Sequence, residues 1–265
     1  MTAHRTAAAA AVAVVLTVGA AGTAQAHGAP TDPVSRVFAC GPEGVQRESA
    51  VCRAAVAANG GVAFDEWDNL RLADVRGRDR EFIPDGQLCS AGLDAYKGLD
   101  IAREDWPATT LTAGARFALT YLSTIPHKGT FHLYLTKAGH DPTVPLRWDD
   151  LISEPVGTAT DPRLVDGAYR ISGQLPAGQT GRHVLYTVWR NSSTPDTYYS
   201  CSDLVLTGES GQPQQPGGEP ADRQAAASAE RDEDKQAVLV GGVAALLGLL
   251  AVAASALVRR RGRHG

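Results

Sequence analysis

Four stretches of the chain, RFALTYL from Arg116, TFHLYLT from Thr130, RHVLYTVW from Arg182 and YYSCSDLVL from Tyr198, alternate or nearly alternate apolar and polar side chains, with turn residues between them. Successive side chains on a strand point to opposite faces, so each stretch offers one face to a core and one away from it. Several short strands of this kind predict an antiparallel β-sandwich. The region from Gly41 to Pro107 is different: Gly- and charge-rich, with one helical run, SAVCRAAVAANG, that ends on a glycine in the expected stop position. We read it as a long, partly helical loop insertion, and long irregular insertions in compact domains usually carry function.

Both ends of the chain are set apart from this domain. At the start, His4 and Arg5 precede the apolar block AVAVVLTVGAAG, and small Ala24 and Ala26 stand where a signal peptidase reads them. The block falls short of the ~20 residues a membrane span needs. Residues 1–26 therefore read as a leader, and His27 as the first residue of the mature chain with a free α-amine. Near the other end, residues 236–258 contain the uncharged run AVLVGGVAALLGLLAVAASALV, long enough to span a bilayer, and RRRGR follows at once. Basic residues stay on the cytoplasmic side. The expected organisation is a folded domain at 27–207, a Pro-, Gly- and Gln-rich tether at 208–235 with too few apolar side chains to fold, a transmembrane helix at 236–258 and a cytoplasmic tail at 259–265. This places an exported monomer at the cell surface, with the membrane as a partner through its C-terminal helix.

A formal net charge of -4 and a sequence pI of about 6.0 give no electrostatic case for nucleic acid. All four cysteines, Cys40, Cys52, Cys89 and Cys201, lie in the exported part, where an even count predicts two disulfides. Three pairings are open. We favour Cys40 with Cys52, closing a short loop, and Cys89 with Cys201, tying the insertion to the last strand. A zinc site is the other use of such cysteines, but no Cys-x-x-Cys pair is present.

Six blocks then occur in order: HGAPTDPVSR at His27, PDGQLCSAG at Pro84, YKGLDIAREDWP at Tyr96, STIPHKGTFHLYLTKAGHDPTVPLRWDDL at Ser123, LPAGQTGRHVLYTVW at Leu175 and DTYYSCSDL at Asp196. Together they closely resemble the bacterial lytic polysaccharide monooxygenases, copper enzymes once called chitin-binding proteins. The resemblance covers His27 to Leu206 and implies an immunoglobulin/fibronectin-III-like sandwich. It also gives the N-terminal histidine a role. An α-amine and an imidazole from one residue, joined by a second imidazole, make a three-nitrogen site, and tetragonal nitrogen ligation favours copper(II). In the family this is the histidine brace, and its members here would be His27 and His127, the latter in TIPH.

The same resemblance assigns the residues around the metal. Tyr198 matches the axial aromatic, which is Phe in many bacterial members; its competing reading is a core side chain. Asp196 matches a position often held by Glu or Gln, where an acid can hydrogen-bond an oxygen species or pass it a proton; the bland reading is a solvated loop aspartate. Ile125 departs from the usual alanine two residues before the second histidine and would crowd the solvent-facing axial position. In FDEWDNL, Trp67 is the candidate aromatic for stacking on sugar rings, with Asp65, Glu66 and Asn69 as polar neighbours; Trp67 could equally anchor the core. Trp106, Trp148 and Trp189 read as core, and His132, His140 and His183 as non-ligands.

The resemblance implies copper-dependent oxidative cleavage of crystalline β-1,4-linked polysaccharide, chitin or cellulose, using hydrogen peroxide or dioxygen and an external electron donor. A non-catalytic copper-binding or polysaccharide-adhesion protein is the alternative, and Ile125 is the residue that favours it. The choice among chitin, cellulose and a glycan of the cell's own envelope stays open, as does oxidation at the anomeric carbon or carbon four.

Overall fold

The computed structural model describes residues 27–208. The expected leader, membrane span, basic tail and all of the tether except Gly208 lie outside the described residues, and no helix among the described residues is long and apolar enough to cross a membrane. In chain order the elements are β1 (His27–Asp32), α1 (Arg36–Cys40), α2 (Ala50–Ala58), β2 (Arg71–Ala73), α3 (Asp79–Phe82), β3 (Ala108–Thr112), β4 (Arg116–Ile125), β5 (Gly129–Leu135), β6 (Gly157–Thr160), β7 (Leu164–Val165), β8 (Ala168–Gln174), β9 (Gly181–Asn191) and β10 (Asp196–Thr207). One sheet runs β1-β4-β8-β7; the other runs β2-β10-β9-β5-β6, with β3 also paired to β10.

This is the expected two-sheet sandwich with two differences. Strand β3 pairs with β10 in parallel, Ala108 opposite Asp203 through Thr112 opposite Thr207. Parallel neighbours need a long crossover between them, and the remaining strands of the sandwich supply it. The second difference is in burial. Strand β4 alternates buried and open positions as its sequence implies, but β9 and β10 are buried almost continuously. Their sheet is covered on both faces. On one, Tyr121, Phe131, Leu133, Trp189, Tyr198 and Leu204 fill the space between the sheets. On the other, the insertion lays Val51, Phe64, Trp67, Ile83, Leu88 and Trp106 against Val184, Tyr186, Val188 and Tyr199. A sheet buried on both sides reads as a nearly continuous apolar run.

The insertion is fastened rather than loose. Its helix α2 starts where Ser49 caps the Cys52 N–H at 3.3 Å and ends at Asn59, with Gly60 at φ +74° turning the chain away. Disulfides Cys40–Cys52 and Cys89–Cys201 have formed as expected, the first joining α1 to α2 and the second tying the insertion to β10. The buried Arg36 guanidinium pairs with Asp203 at 2.7 and 3.0 Å, donates to the Leu99 carbonyl at 2.8 Å and lies over the Trp106 ring. Buried charge is tolerated when its hydrogen bonds are filled in this way.

Candidate metal centre

The start of β1, the end of β4 and the start of β10 meet at one end of the sandwich. His27 lies opposite Ile125 in the β1–β4 register, two residues before His127. Gly28 makes this approach feasible, because a Cβ there would sit 2.3 Å from the Leu122 carbonyl oxygen and 2.5 Å from the Tyr121 ring. Its neighbours hold the His27 backbone in place. Ser123 donates to the His27 carbonyl at 3.1 Å, Tyr121 to the Gly28 carbonyl at 2.8 Å, and the Gly28 N–H donates to the Asp68 carbonyl at 2.9 Å.

Each imidazole has one nitrogen engaged. His27 Nδ1 lies 3.4 Å from an Asp68 carboxylate oxygen, which accepts from Thr124 at 2.6 Å, while its Nε2 is buried with no hydrogen-bond partner. His127 Nδ1 lies 2.8 Å from the Ser193 hydroxyl. The His127 backbone is clasped by Tyr169, whose hydroxyl accepts from the His127 N–H at 2.9 Å and donates to the His127 carbonyl at 2.8 Å. Neither Asp68, Ser193 nor Tyr169 was anticipated from the sequence. They lie 41, 66 and 42 positions from the histidines they serve, and no local pattern marks them.

Tyr198 sits beneath this end of the sandwich, 1% exposed, its ring 5.5 Å from that of Trp189 and its hydroxyl buried without a partner. Burial raises the phenol's pKa far above its usual value, outweighing the opposing pull of Arg71, so the ring stays neutral. Asp196 is 5% exposed and ion-paired with Arg71 at 3.0 Å, so the solvated-loop reading fails. Arg71 is the unanticipated hub here. It lies opposite Tyr198 on edge strand β2, reaches Asp196 with one nitrogen and Asn69 with another at 2.9 Å, and Asn69 donates to Glu66 at 3.2 Å. A polar chain thus runs from the insertion to β10.

Two of the expected roles are decided by burial. Trp67 is not a surface aromatic: it is 6% exposed, meets Phe38 edge to face at 4.9 Å and lies against Gly41, so it cannot stack on a sugar and anchors the insertion instead. Its neighbours Asp65 and Glu66 are exposed and Asn69 is half-buried. A bulky indole within an otherwise polar loop serves either purpose, and only packing separates them. Ile125, in contrast, is 37% exposed and lies at the surface beside the histidines rather than in the core. His183 is buried on Thr136, and His132 lies against Arg190, both away from the pair.

Among the described residues no group of three or more His, Cys, Asp or Glu side chains gathers as a metal site. Two imidazoles alone make an incomplete site, which a terminal amine at His27 would complete together with that residue's Nδ1, the ring nitrogen within chelating reach of the amine and the one that lies beside Asp68 here. A family model described as lytic polysaccharide mono-oxygenase, cellulose-degrading, matches residues 27–204, beginning on His27. A chitin-binding protein, CbpD, of Pseudomonas aeruginosa is 41% identical over 196 residues, covering 72% of this chain and 50% of that protein. A lytic cellulose monooxygenase of Streptomyces ambofaciens is 35% identical over 206 residues, covering 72% and 56%. The chain thus spans about half the length of the curated relatives it matches. Among solved structures, the cellulose-active CelS2 in complex with copper has a TM-score of 0.62 at 34% identity, covering 69% of this chain and 100% of that one. A monooxygenase important for chitin utilisation in Cellvibrio japonicus has a TM-score of 0.58 at 32% identity, covering 68% and 99%. Sequence and fold agree, and the chain belongs to the lytic polysaccharide mono-oxygenase family.

Proposed function

We propose that the domain at 27–207 cleaves glycosidic bonds in crystalline β-1,4-linked polysaccharide, chitin or cellulose, by copper-dependent oxidation. The observation that carries this reading is the β1–β4 register, which sets His27 opposite Ile125, two residues before His127. Removal of residues 1–26 would supply the missing donor as the His27 α-amine. The donor set of two imidazoles and an amine suits copper. Copper, cycled by an external electron donor, supplies the oxidising chemistry toward dioxygen or hydrogen peroxide that side chains lack. The chain's own residues do the rest. Ser193 and Tyr169 orient His127, and Asp68 stands beside His27. Tyr198 would give the site a neutral, buried wall, and Asp196, held by Arg71, would serve it as a hydrogen-bond acceptor. Ile125 restricts the solvent side. Glu66 and Asn69 offer polar contacts to a flat substrate.

The same reading includes export by the leader and retention at the cell surface by a span at 236–258, with 208–235 as tether and 259–265 in the cytoplasm. The second reading, a copper-holding adhesion protein without turnover, draws on Ile125, whose branched side chain lies exposed opposite His27. Mass spectrometry of products released from chitin and cellulose with a reductant separates the two. Oxidised oligosaccharide ends from the protein processed before His27, and their absence with His127→Ala, support the enzyme. Tight copper binding and glycan retention without oxidised ends would leave the adhesion reading.

A further inference from the structure

We propose that the depression beside His127 is a sugar subsite, seating one residue of a neutral glycan chain on an aliphatic rather than an aromatic floor. This rests on the polysaccharide reading above and names where the chain would be gripped. With Trp67 in the core, the surface near the histidines needs another apolar element. Seven large apolar side chains are exposed among the described residues, and three of them, Ile125, Leu164 and Val165, belong to β4 and β7 at this end of the smaller sheet. Leu164 and His127 line the same hollow of about 290 Å³, together with Pro126 and Pro162, while Tyr169 borders it at only 3% exposure. That is just under the roughly 300–1,000 Å³ typical of small-molecule sites, a size for a single ring rather than a long segment.

The hollow is built rather than incidental. Asp161 and Asp166 turn the chain at either end of β7 with φ of +48° and +50°, a conformation that aspartate tolerates better than most residues. Asp161 is bound to Gly129 twice, its Oδ1 accepting from the Gly129 N–H at 2.8 Å and its own N–H donating to the Gly129 carbonyl at 2.9 Å. The Tyr169 hydroxyl meanwhile grips the His127 backbone. The turn before β7 and its partner strand β8 are therefore tied to the segment that carries His127 and Gly129. Lys128 and Asp161 also line it and are of opposite charge, so their charges offset and the hollow has no strong bias toward an ionic ligand. An ammonium and a carboxylate beside aliphatic groups match a pyranose, whose hydroxyls donate and accept while its C–H face is apolar.

The test uses the copper-loaded full chain, processed before His27 and held in detergent, with Leu164→Asp and Leu164→Trp. Retention on microcrystalline cellulose and β-chitin is measured by depletion, with copper affinity and unfolding temperature followed alongside. Leu164→Asp should lower retention about fivefold on the polysaccharide that wild type prefers, and Leu164→Trp should raise it. Equal retention of wild type and Leu164→Asp would overturn the subsite alone. If wild type is held by neither polysaccharide, the functional reading falls with it. Where Leu164→Asp also lowers the unfolding temperature, Leu164→Trp decides: raised retention supports the subsite, and unchanged or lowered retention overturns it.

Discussion

Replacing Ser193 with alanine removes the hydroxyl 2.8 Å from His127 Nδ1 and should weaken copper(II) binding about tenfold. A histidine that binds metal through Nε2 carries its proton on Nδ1, and a fixed acceptor there sets both tautomer and ring orientation. Loss of such a partner typically costs 10–100-fold in affinity, or about 1.4–2.8 kcal/mol. The contact is exposed, so water replaces part of it and the lower end applies. Because Ser193 is an exposed loop residue, global stability should change by no more than about 0.5 kcal/mol. Calorimetric titration of the protein beginning at His27, with a competing chelator, reads the affinity directly. Ser192→Ala is the control: Ser192 is also exposed, and its backbone N–H, unaltered by the change, donates to the Lys128 carbonyl. Ser193→Thr keeps a hydroxyl and should restore most of the affinity. If Ser193→Ala and Ser192→Ala both match wild type, His127 is not oriented through Ser193.

Trp67→Ala should destabilise the domain by about 3–5 kcal/mol, read as a fall in unfolding temperature, because it empties a site that is 6% exposed. Glycan retention per folded molecule should hold, and a selective loss of retention would return Trp67 to the surface. Ile125→Ala should cost less than about 1.5 kcal/mol at its 37% exposure while shifting the copper(II) electron paramagnetic resonance spectrum toward a more hydrated metal. An unchanged spectrum would mean that Ile125 does not bear on the metal. Burial pushes the Asp100 carboxyl up to about pH 6, although its Oδ1 accepts from the Cys89 and Ser90 N–H groups at 2.9 and 3.0 Å. A raised acid pKa favours the fold at low pH, a contribution present below the unfolded value near 4 and lost as pH rises through about 6. Asp100→Asn keeps the acceptor without the charge, so its stability gain over wild type should grow between pH 4 and pH 7; a gain independent of pH would refute this.

What the sequence determined by itself is local or cumulative. Alternation in RFALTYL and TFHLYLT is a property of neighbouring residues, and the structure returns both as strands β4 and β5. Ser49 and Gly60 bound the insertion's helix because capping and left-handed turns act within a few residues. Six ordered blocks were enough to read the family, and the pairings favoured from loop closure, Cys40 with Cys52 and Cys89 with Cys201, are the disulfides the structure holds. Tertiary structure decided what depends on distant partners. The near-continuous burial of β9 and β10 follows from an insertion far upstream lying on their outer face, as the Cys89–Cys201 bond across 112 positions marks. Whether Trp67 faces solvent or core depends on Phe38 and Gly41, and whether Asp196 is solvated or ion-paired depends on Arg71, 125 positions away. Asp68, Ser193 and Tyr169 become neighbours of the histidines only once β1, β4, β8 and the β9–β10 turn converge. Periodicity reports which way a side chain points relative to its own strand, whereas the group it meets is set by how the sheets and the insertion close around it.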